Sequence, residues 1–403
     1  MSASATHPSR TPIVLLALCQ ALLLTNNIVN IGMNGLVGYA LAEHKALATL
    51  PLTAYVVGTA IATYPASMWM QRVGRRYGFV TGSVFGIVGV SISALSVVEN
   101  SFWILALGTF VTGGYNAFGQ YYRFAAAEAV EDGWRGKAIG LVLGGGIIGA
   151  IIGPEGARAA KDMFAIPFLG AYALLALCMV ASMILQLNLR IPKPPAVQAG
   201  DVRAMARPLR EIARHPRFVV AVLGAVFGYA VMSFLMTSTP LAMVACALPY
   251  SASTFVIEWH AVAMFAPSFI TGALIRRFGG IAVMSAGAVS MLGTAAVGLS
   301  GTSVAHFWVA LVLLGFGWNF LYVGGTTLLT TTYRPSERAR VQGLNDVLVF
   351  STTGFASLMS GVMLNAIGWN GIVVAMLVPV AAILGVMIWA ARAHEPAPEI
   401  GPA

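Results

Sequence analysis

Long apolar stretches, broken at short intervals by a few polar or charged residues, run the length of this sequence. A helix rising 1.5 Å per residue needs about 20 residues to cross ~30 Å of hydrocarbon. Twelve stretches approach or exceed that length: 12–40, 48–70, 78–97, 102–126, 138–157 and 165–189, then 218–247, 253–275, 281–300, 305–332, 341–367 and 371–391. The hydrophilic break between the two sets opens on Ile191-Pro192-Lys193-Pro194-Pro195, which cannot continue a helix. The pattern predicts an all-α membrane protein of twelve transmembrane helices. Residues 12–189 and 218–391 form two six-helix bundles, joined by a linker, 190–217, and flanked by tails at 1–11 and 392–403. Within the linker, Val202 to Ala213 has the spacing of a short amphipathic helix lying on a membrane surface.

Composition supports this reading. With 58% hydrophobic and 9% charged residues, the chain carries more apolar surface than a water-soluble core can bury, so lipid must cover the rest. The net charge of +9 would suit a nucleic-acid binder, but the basic residues are spread over the breaks between spans. Arg10, the trio Arg72, Arg75 and Arg76, then Arg135 and Lys137, the linker, Arg276 and Arg277, the trio Arg334, Arg338 and Arg340, and finally Arg392 occupy alternate breaks. Lys45, Arg158 and Lys161 occupy the others. By the positive-inside rule both termini and the linker are cytoplasmic, and no nucleic-acid partner is expected. Cys19, Cys178 and Cys246 lie far apart in apolar runs, which suits small core residues rather than a disulfide or metal site.

The two bundles repeat one another. Ser67 to Gly74 aligns with Gly272 to Gly279 at an offset of 205 residues, and Phe102-Trp103 aligns with Phe307-Trp308 at the same offset. Gly114-Tyr115-Asn116 then matches Gly317-Trp318-Asn319. The shared order makes the bundles pseudo-symmetric, the plan of transporters that hold a substrate between their halves.

The break after the second span, Gln71-Arg72-Val73-Gly74-Arg75-Arg76-Tyr77-Gly78, resembles the signature loop of the major facilitator superfamily. Gly74 and Gly78 permit unusual backbone angles, and the guanidiniums can engage carboxylates or helix C-termini. The sequence departs from the family pattern at Ser67, where the first glycine belongs, and at Gln71, where the family has an acidic residue. That acidic residue helps latch the cytoplasmic side in the family, so the resemblance implies an altered latch. Gln71 can still hydrogen-bond, and Asp346 offers a carboxylate to Arg72, Arg75 or Arg76; the alternative is that these arginines only anchor topology. In the fifth span, Gly149, Gly153 and Pro154 resemble the superfamily's antiporter motif, which leans the reading towards export, although close helix packing explains them as well. Thr109 stands where many proton-coupled members carry an embedded arginine, so that relay is not expected.

Polar residues at helical spacing mark candidate cavity faces. The fourth span presents Thr109, Thr112, Asn116, Gln120 and Arg123 within about 60° of one another. The tenth presents Asn319, Tyr322, Thr326, Thr330 and Tyr333; the first, Asn27, Asn30 and Asn34; the seventh, Tyr229, Met232, Ser233, Met236 and Thr237. Such faces are costly toward lipid and serve either as a cavity lining or as hydrogen bonds between helices. In the superfamily these same four spans surround the pathway. Arg123 has two uses, snorkelling to the near interface or contacting an anionic solute. Glu258 and His260 in the eighth span are candidates for coupling to a proton or ion, against the alternative of a structural hydrogen bond.

The expected function is secondary active transport of a small organic solute across the cytoplasmic (inner) membrane of a bacterium by alternating access. The alternatives are a facilitative uniporter or importer and a ligand sensor without net transport. The chain lacks nucleotide-binding and hydrolase motifs and is not expected to be an enzyme. No cofactor or metal is implied, and a monomer is the expected working unit.

Overall fold

The computed structural model describes residues 11–44, 47, 50–160, 163–191 and 207–392. Most of both tails, Lys45, Lys161 and the linker from 192 to 206 lie outside the described residues. The first half holds α1 (Thr11–Leu41), α2 (Leu50–Val73), α3 (Arg75–Val98), α4 (Phe102–Gly119), α5 (Tyr122–Glu128), α6 (Arg135–Gly144), α7 (Gly146–Ala160) and α8 (Leu169–Leu187). A single turn of linker helix, α9 (Leu209–Ile212), precedes the second half. That half holds α10 (Pro216–Ala245), α11 (Tyr250–Phe265), α12 (Ser268–Phe278), α13 (Gly280–Ser300), α14 (Val304–Leu329), α15 (Arg338–Ala375) and α16 (Leu377–Arg392).

By length and composition alone, eight segments among the described residues can cross a membrane, or nine when the bent pair α11 and α12 counts as one. One of the eight, Arg338–Ala390, is 53 residues long and is kinked at Gly368, whose φ is 68°, so two helices join there and the segment is long enough for both the eleventh and twelfth spans. The second span, α2, and the fourth, α4 with α5, complete the twelve.

Without water in the hydrocarbon, backbone groups must pair within each helix, and association relies on close packing of small residues. A Cβ built on Gly89 of α3 would lie 2.8 Å from the Gly108 carbonyl oxygen of α4, and the converse distance is also 2.8 Å. The second half uses the same device, with Gly287 of α13 and Gly317 of α14 each 2.9 Å from the other's carbonyl. The expected fifth-span packing motif takes this form too. Gly149 would meet the Ala21 carbonyl oxygen at 2.3 Å and Gly153 approaches Thr25, so these glycines seat α7 on α1. Helix α7 continues through Pro154 to Ala160, and the break in the fifth span lies earlier, at Gly145. The eighth span is broken at Ala266-Pro267, where its two parts bend by 41°, and the fourth at Gln120-Tyr121.

The halves meet along α2 with α15 and α6 with α12. The second contact is tight: a Cβ on Gly140 would lie 2.2 Å from the Ser268 carbonyl oxygen, and one on Gly272 would lie 2.4 Å from the Lys137 backbone. Both glycines belong to the end of the bundle where the arginine-bearing turns lie, called the basic end below.

Candidate functional site

The site builds inward from the basic end. Gly74 turns the chain between α2 and α3 with φ 88° and ψ 166°, a conformation reserved for glycine. This delivers Arg75, alone of its trio, into the protein. Arg72 and Arg76 are exposed. Arg75 forms a fork with Glu128 at the end of α5, Nε to Oε2 at 3.0 Å and Nη2 to Oε1 at 2.6 Å, and also donates to Gln342 Oε1 of α15 at 2.6 Å. Arg338 approaches Glu128 Oε2 at 3.0 Å, so one carboxylate ties guanidiniums from both halves. Burial opposes ionisation of Glu128, but Arg75 and then Arg338 hold its carboxyl below the ordinary carboxylate range. Beside it, Ser67 donates to the Ala339 carbonyl at 2.9 Å and Gln71 to the Ser336 carbonyl at 3.4 Å. The residues that depart from the family loop therefore bridge the halves as neutral donors.

A second carboxylate anchors the linker. Glu337 accepts from the Arg207 backbone N–H at 2.9 Å and from its guanidinium at 3.0 and 2.8 Å. Its burial is outweighed by these bonds and by the Arg334 amide, which hold its carboxyl below the usual range.

Deeper between the halves, Arg123 at the start of α5 meets Asp346 of α15, Nη2 to Oδ1 at 2.5 Å, with side chains 1% and 0% exposed. This corrects the partner expected for Asp346 and decides between the two uses open to Arg123. Asp346 pairs with Arg123 rather than Arg72, Arg75 or Arg76, and Arg123 points inward instead of snorkelling. The break between α4 and α5 explains the placement: it redirects the chain at Gln120, whose carbonyl accepts from Arg123 Nη1 at 2.5 Å. The guanidinium lies between two rings, 4.5 Å from the Phe124 centroid and 4.7 Å from that of Tyr322. A buried pair gains little net stability, because desolvation offsets much of its attraction; its meaning is positional.

Aromatic side chains of the second half surround this pair. Tyr322 stacks on Trp318 at 5.0 Å, and Tyr229 meets Tyr322, Trp318 and Phe350 edge-on at 5.3, 5.4 and 5.7 Å. Phe265, at the break of the eighth span, closes on Trp318 at 5.6 Å. The first half contributes polar groups. Tyr55 donates to Asn27, Asn27 donates to Asn116 at 3.0 Å, and Gln120 donates to the same Asn116 oxygen at 3.0 Å. Asn27, Gln120, Tyr229 and Ser233 keep partial exposure.

Other stripe residues turn elsewhere. Asn30 and Asn34 form a buried ladder, Asn34 to Asn30 at 2.8 Å and Asn30 to Asn26 at 2.6 Å, which Tyr172 of α8 caps by donating to Asn34 at 2.8 Å. Thr112 packs against Gly89 and bonds its own helix at Gly108. Asn319 donates to the Met264 carbonyl at 2.7 Å and to Ser268 at 2.5 Å, and accepts from Thr271 at 2.7 Å, fastening α14 across the break of the eighth span. Thr326 is buried, and its hydroxyl lacks a hydrogen-bond partner. Glu258 is exposed on α11. His260 is buried within the second half, with Nδ1 2.7 Å from the Leu311 carbonyl oxygen. Neither coupling candidate joins the Arg123–Asp346 cluster. Sequence reasoning missed Tyr55, Glu128, Phe265, Trp318, Gln342 and Phe350. Trp318 and Tyr322, four apart on one helix, were the available aromatic signal.

The description "Major Facilitator Superfamily" belongs to a family model that matches residues 16–351. The chain is 37% identical over 369 residues to the riboflavin transporter RfnT of Brucella anthropi, covering 90% of this chain and 92% of that protein. It is 27% identical to an uncharacterized MFS-type transporter, YdeG, of Bacillus subtilis, covering 86% of each. Among solved structures, it resembles the transporter FucP in the outward conformation, with a TM-score of 0.77 at 15% identity, covering 96% of this chain and 99% of that one.

Proposed function

The chain belongs to the major facilitator superfamily, and on that premise we propose that it carries a flat, ring-bearing solute of the riboflavin class across the membrane by alternating access. The observation that carries the reading is the aromatic wall of Tyr229, Trp318 and Tyr322 beside Arg123 and Asp346, where the halves meet. A stacked ring system is the solute such a wall binds best, and the polar set at Asn27, Asn116 and Gln120 offers hydrogen bonds to a hydroxylated side arm. The 37% identity to a riboflavin transporter over most of both chains supports the same class.

In this reading the basic end is cytoplasmic and closed, held by Arg75, Glu128, Gln342 and Arg338 and by the Gly140–Gly272 crossing. Release to that side requires these contacts and the Arg123–Asp346 pair to part. Direction is not taken from the fifth-span glycines, since their seat on α1 accounts for them. Purified protein reconstituted in vesicles tests the proposal. Riboflavin flux should be saturable and accelerate when unlabelled riboflavin is loaded on the opposite side. Binding without flux would instead identify a sensor, and neither binding nor flux would reject the solute class.

A further inference from the structure

We propose that Arg123 and Asp346 jointly read one edge of the solute, an amide in which a ring carbonyl adjoins a ring N–H; this rests on the flavin-class reading above. The geometry is a half-made fork. Arg123 uses Nη2 on Asp346 Oδ1 and Nη1 on the Gln120 carbonyl, while Asn345 donates to the same Oδ1 at 2.8 Å. Arg123 Nε and Asp346 Oδ2 are both buried without a hydrogen-bond partner. A buried donor and a buried acceptor left unmade are each costly, and here the two flank one ion pair on the surface where the halves part.

A donor beside an acceptor is the complement of a carbonyl beside an N–H. The Tyr322 hydroxyl extends the pattern. It too is buried without a partner and lies within electrostatic reach of both Arg123 and Asp346. Arg123 Nε–H and Asp346 Oδ2 are a free donor and acceptor, and the Tyr322 hydroxyl, on a ring 4.7 Å from the Arg123 guanidinium, supplies a second donor. An imide, carbonyl–NH–carbonyl, presents the matching acceptor, donor and acceptor, and the flat ring system of riboflavin carries one at its end. Tyr322 and Trp318 are stacked with 22° between their planes and are each only 2% exposed, so this aromatic cluster receives the remaining rings of the solute once the halves part. Sugars and aliphatic solutes lack both the edge and the flat aromatic rings. The carboxylate accepts the imide proton's hydrogen bond without taking the proton, so no covalent step is involved.

The test compares riboflavin with riboflavin methylated on its imide nitrogen and with an analogue lacking the hydroxylated side arm, using binding to the purified wild-type protein. Losing a hydrogen bond to a charged acceptor should weaken the imide-methylated compound by roughly tenfold or more. The side-arm analogue should lose less. In Asp346→Asn the ratio between riboflavin and its imide-methylated form should fall toward one, a change that general damage to the fold would not produce. Equal wild-type affinity for riboflavin and the imide-methylated form would overturn the edge assignment while leaving the flavin class standing. No binding of riboflavin itself would reject the class, and the edge assignment with it. Should Asp346→Asn fail to fold, the wild-type comparison decides alone.

Discussion

The turns at Gly74 and Gly279 are two copies of one device put to different uses. Gly74 has φ 88° and ψ 166°, and Gly279 has φ 87° and ψ 156°, so the backbone is repeated almost angle for angle across 205 residues of sequence. The chemistry is not repeated. In the first half the next residue is Arg75, buried and forked on Glu128; in the second it is Gly280. The cations of the second copy, Arg276 and Arg277, stay at the surface, Arg276 over the Trp134 ring at 4.9 Å and Arg277 beside Phe278 at 5.2 Å. Repetition has preserved the shape that joins two helices and released the side chain that locks them. The first copy ties the two halves together at the basic end, while the second contributes two surface cation–π contacts, of which only that of Arg276 reaches another segment.

Substitutions separate shape from lock. Arg75→Gly, which makes the first turn resemble the second, should have the largest effect. Removing one partner of a buried pair costs on the order of 3 kcal/mol, read as a lower melting temperature and as faster labelling of cysteines placed at the basic end. The reciprocal Gly280→Arg should change little, because Tyr333 occupies the second-half position that aligns with Glu128 at the 205-residue offset. Next, Gly140→Ala should push α6 from α12 at a cost of about 1–3 kcal/mol, since its Cβ meets backbone, which cannot give way as a side chain can. Labelling at the basic end should rise even if overall melting changes little.

Gly74→Ala and Gly279→Ala should cost about the same, roughly 1–3 kcal/mol each, because the penalty lies in the shared backbone angles. Nothing lies within 4 Å of the Cβ position at Gly279, so unequal melting shifts would break the argument that shape alone was repeated. Trp134→Ala should have the smallest effect, about 0.5–1 kcal/mol, as befits an exposed cation–π contact. Acidification sharpens the contrast in the same assay. Glu128 has its pKa depressed, so its contribution to closure is complete above the ordinary carboxylate range. It fades only as pH falls through the lowered value.

Much of the architecture was legible because its causes are local. Span length, the charge of alternate breaks and the glycine-bearing turns are written in consecutive residues. The site was less legible. Asn116 and Asn319 sit on matching polar stripes, and both fasten their helices to the neighbouring second or eighth span, Asn116 through Thr59 at 3.3 Å and Asn319 through Ser268. Helical spacing identified a face that avoids lipid, but it could not distinguish a cavity from a helix neighbour. Arg123 shows the same limit. Its inward position depends on a helix break at Gln120-Tyr121, and although Gly119 adjoins it, a glycine in a glycine-rich span does not by itself announce a break. Asp346 stands out in the sequence as an embedded acid, but its partner, Arg123, lies more than two hundred residues away, and the resemblance to the family's latch points to the arginines of the signature loop instead.

The breaks in the fifth and eighth spans have a mechanical consequence. Gly145 separates α6 from α7, and Ala266-Pro267 separates α12 from α11; the pieces below these joints, α6 and α12, are the ones locked together by Gly140 and Gly272. Pro267 also removes a backbone donor at its joint. Any parting of the halves at this end must therefore undo a crossing in which backbone meets backbone, carried on two segments only about ten residues long.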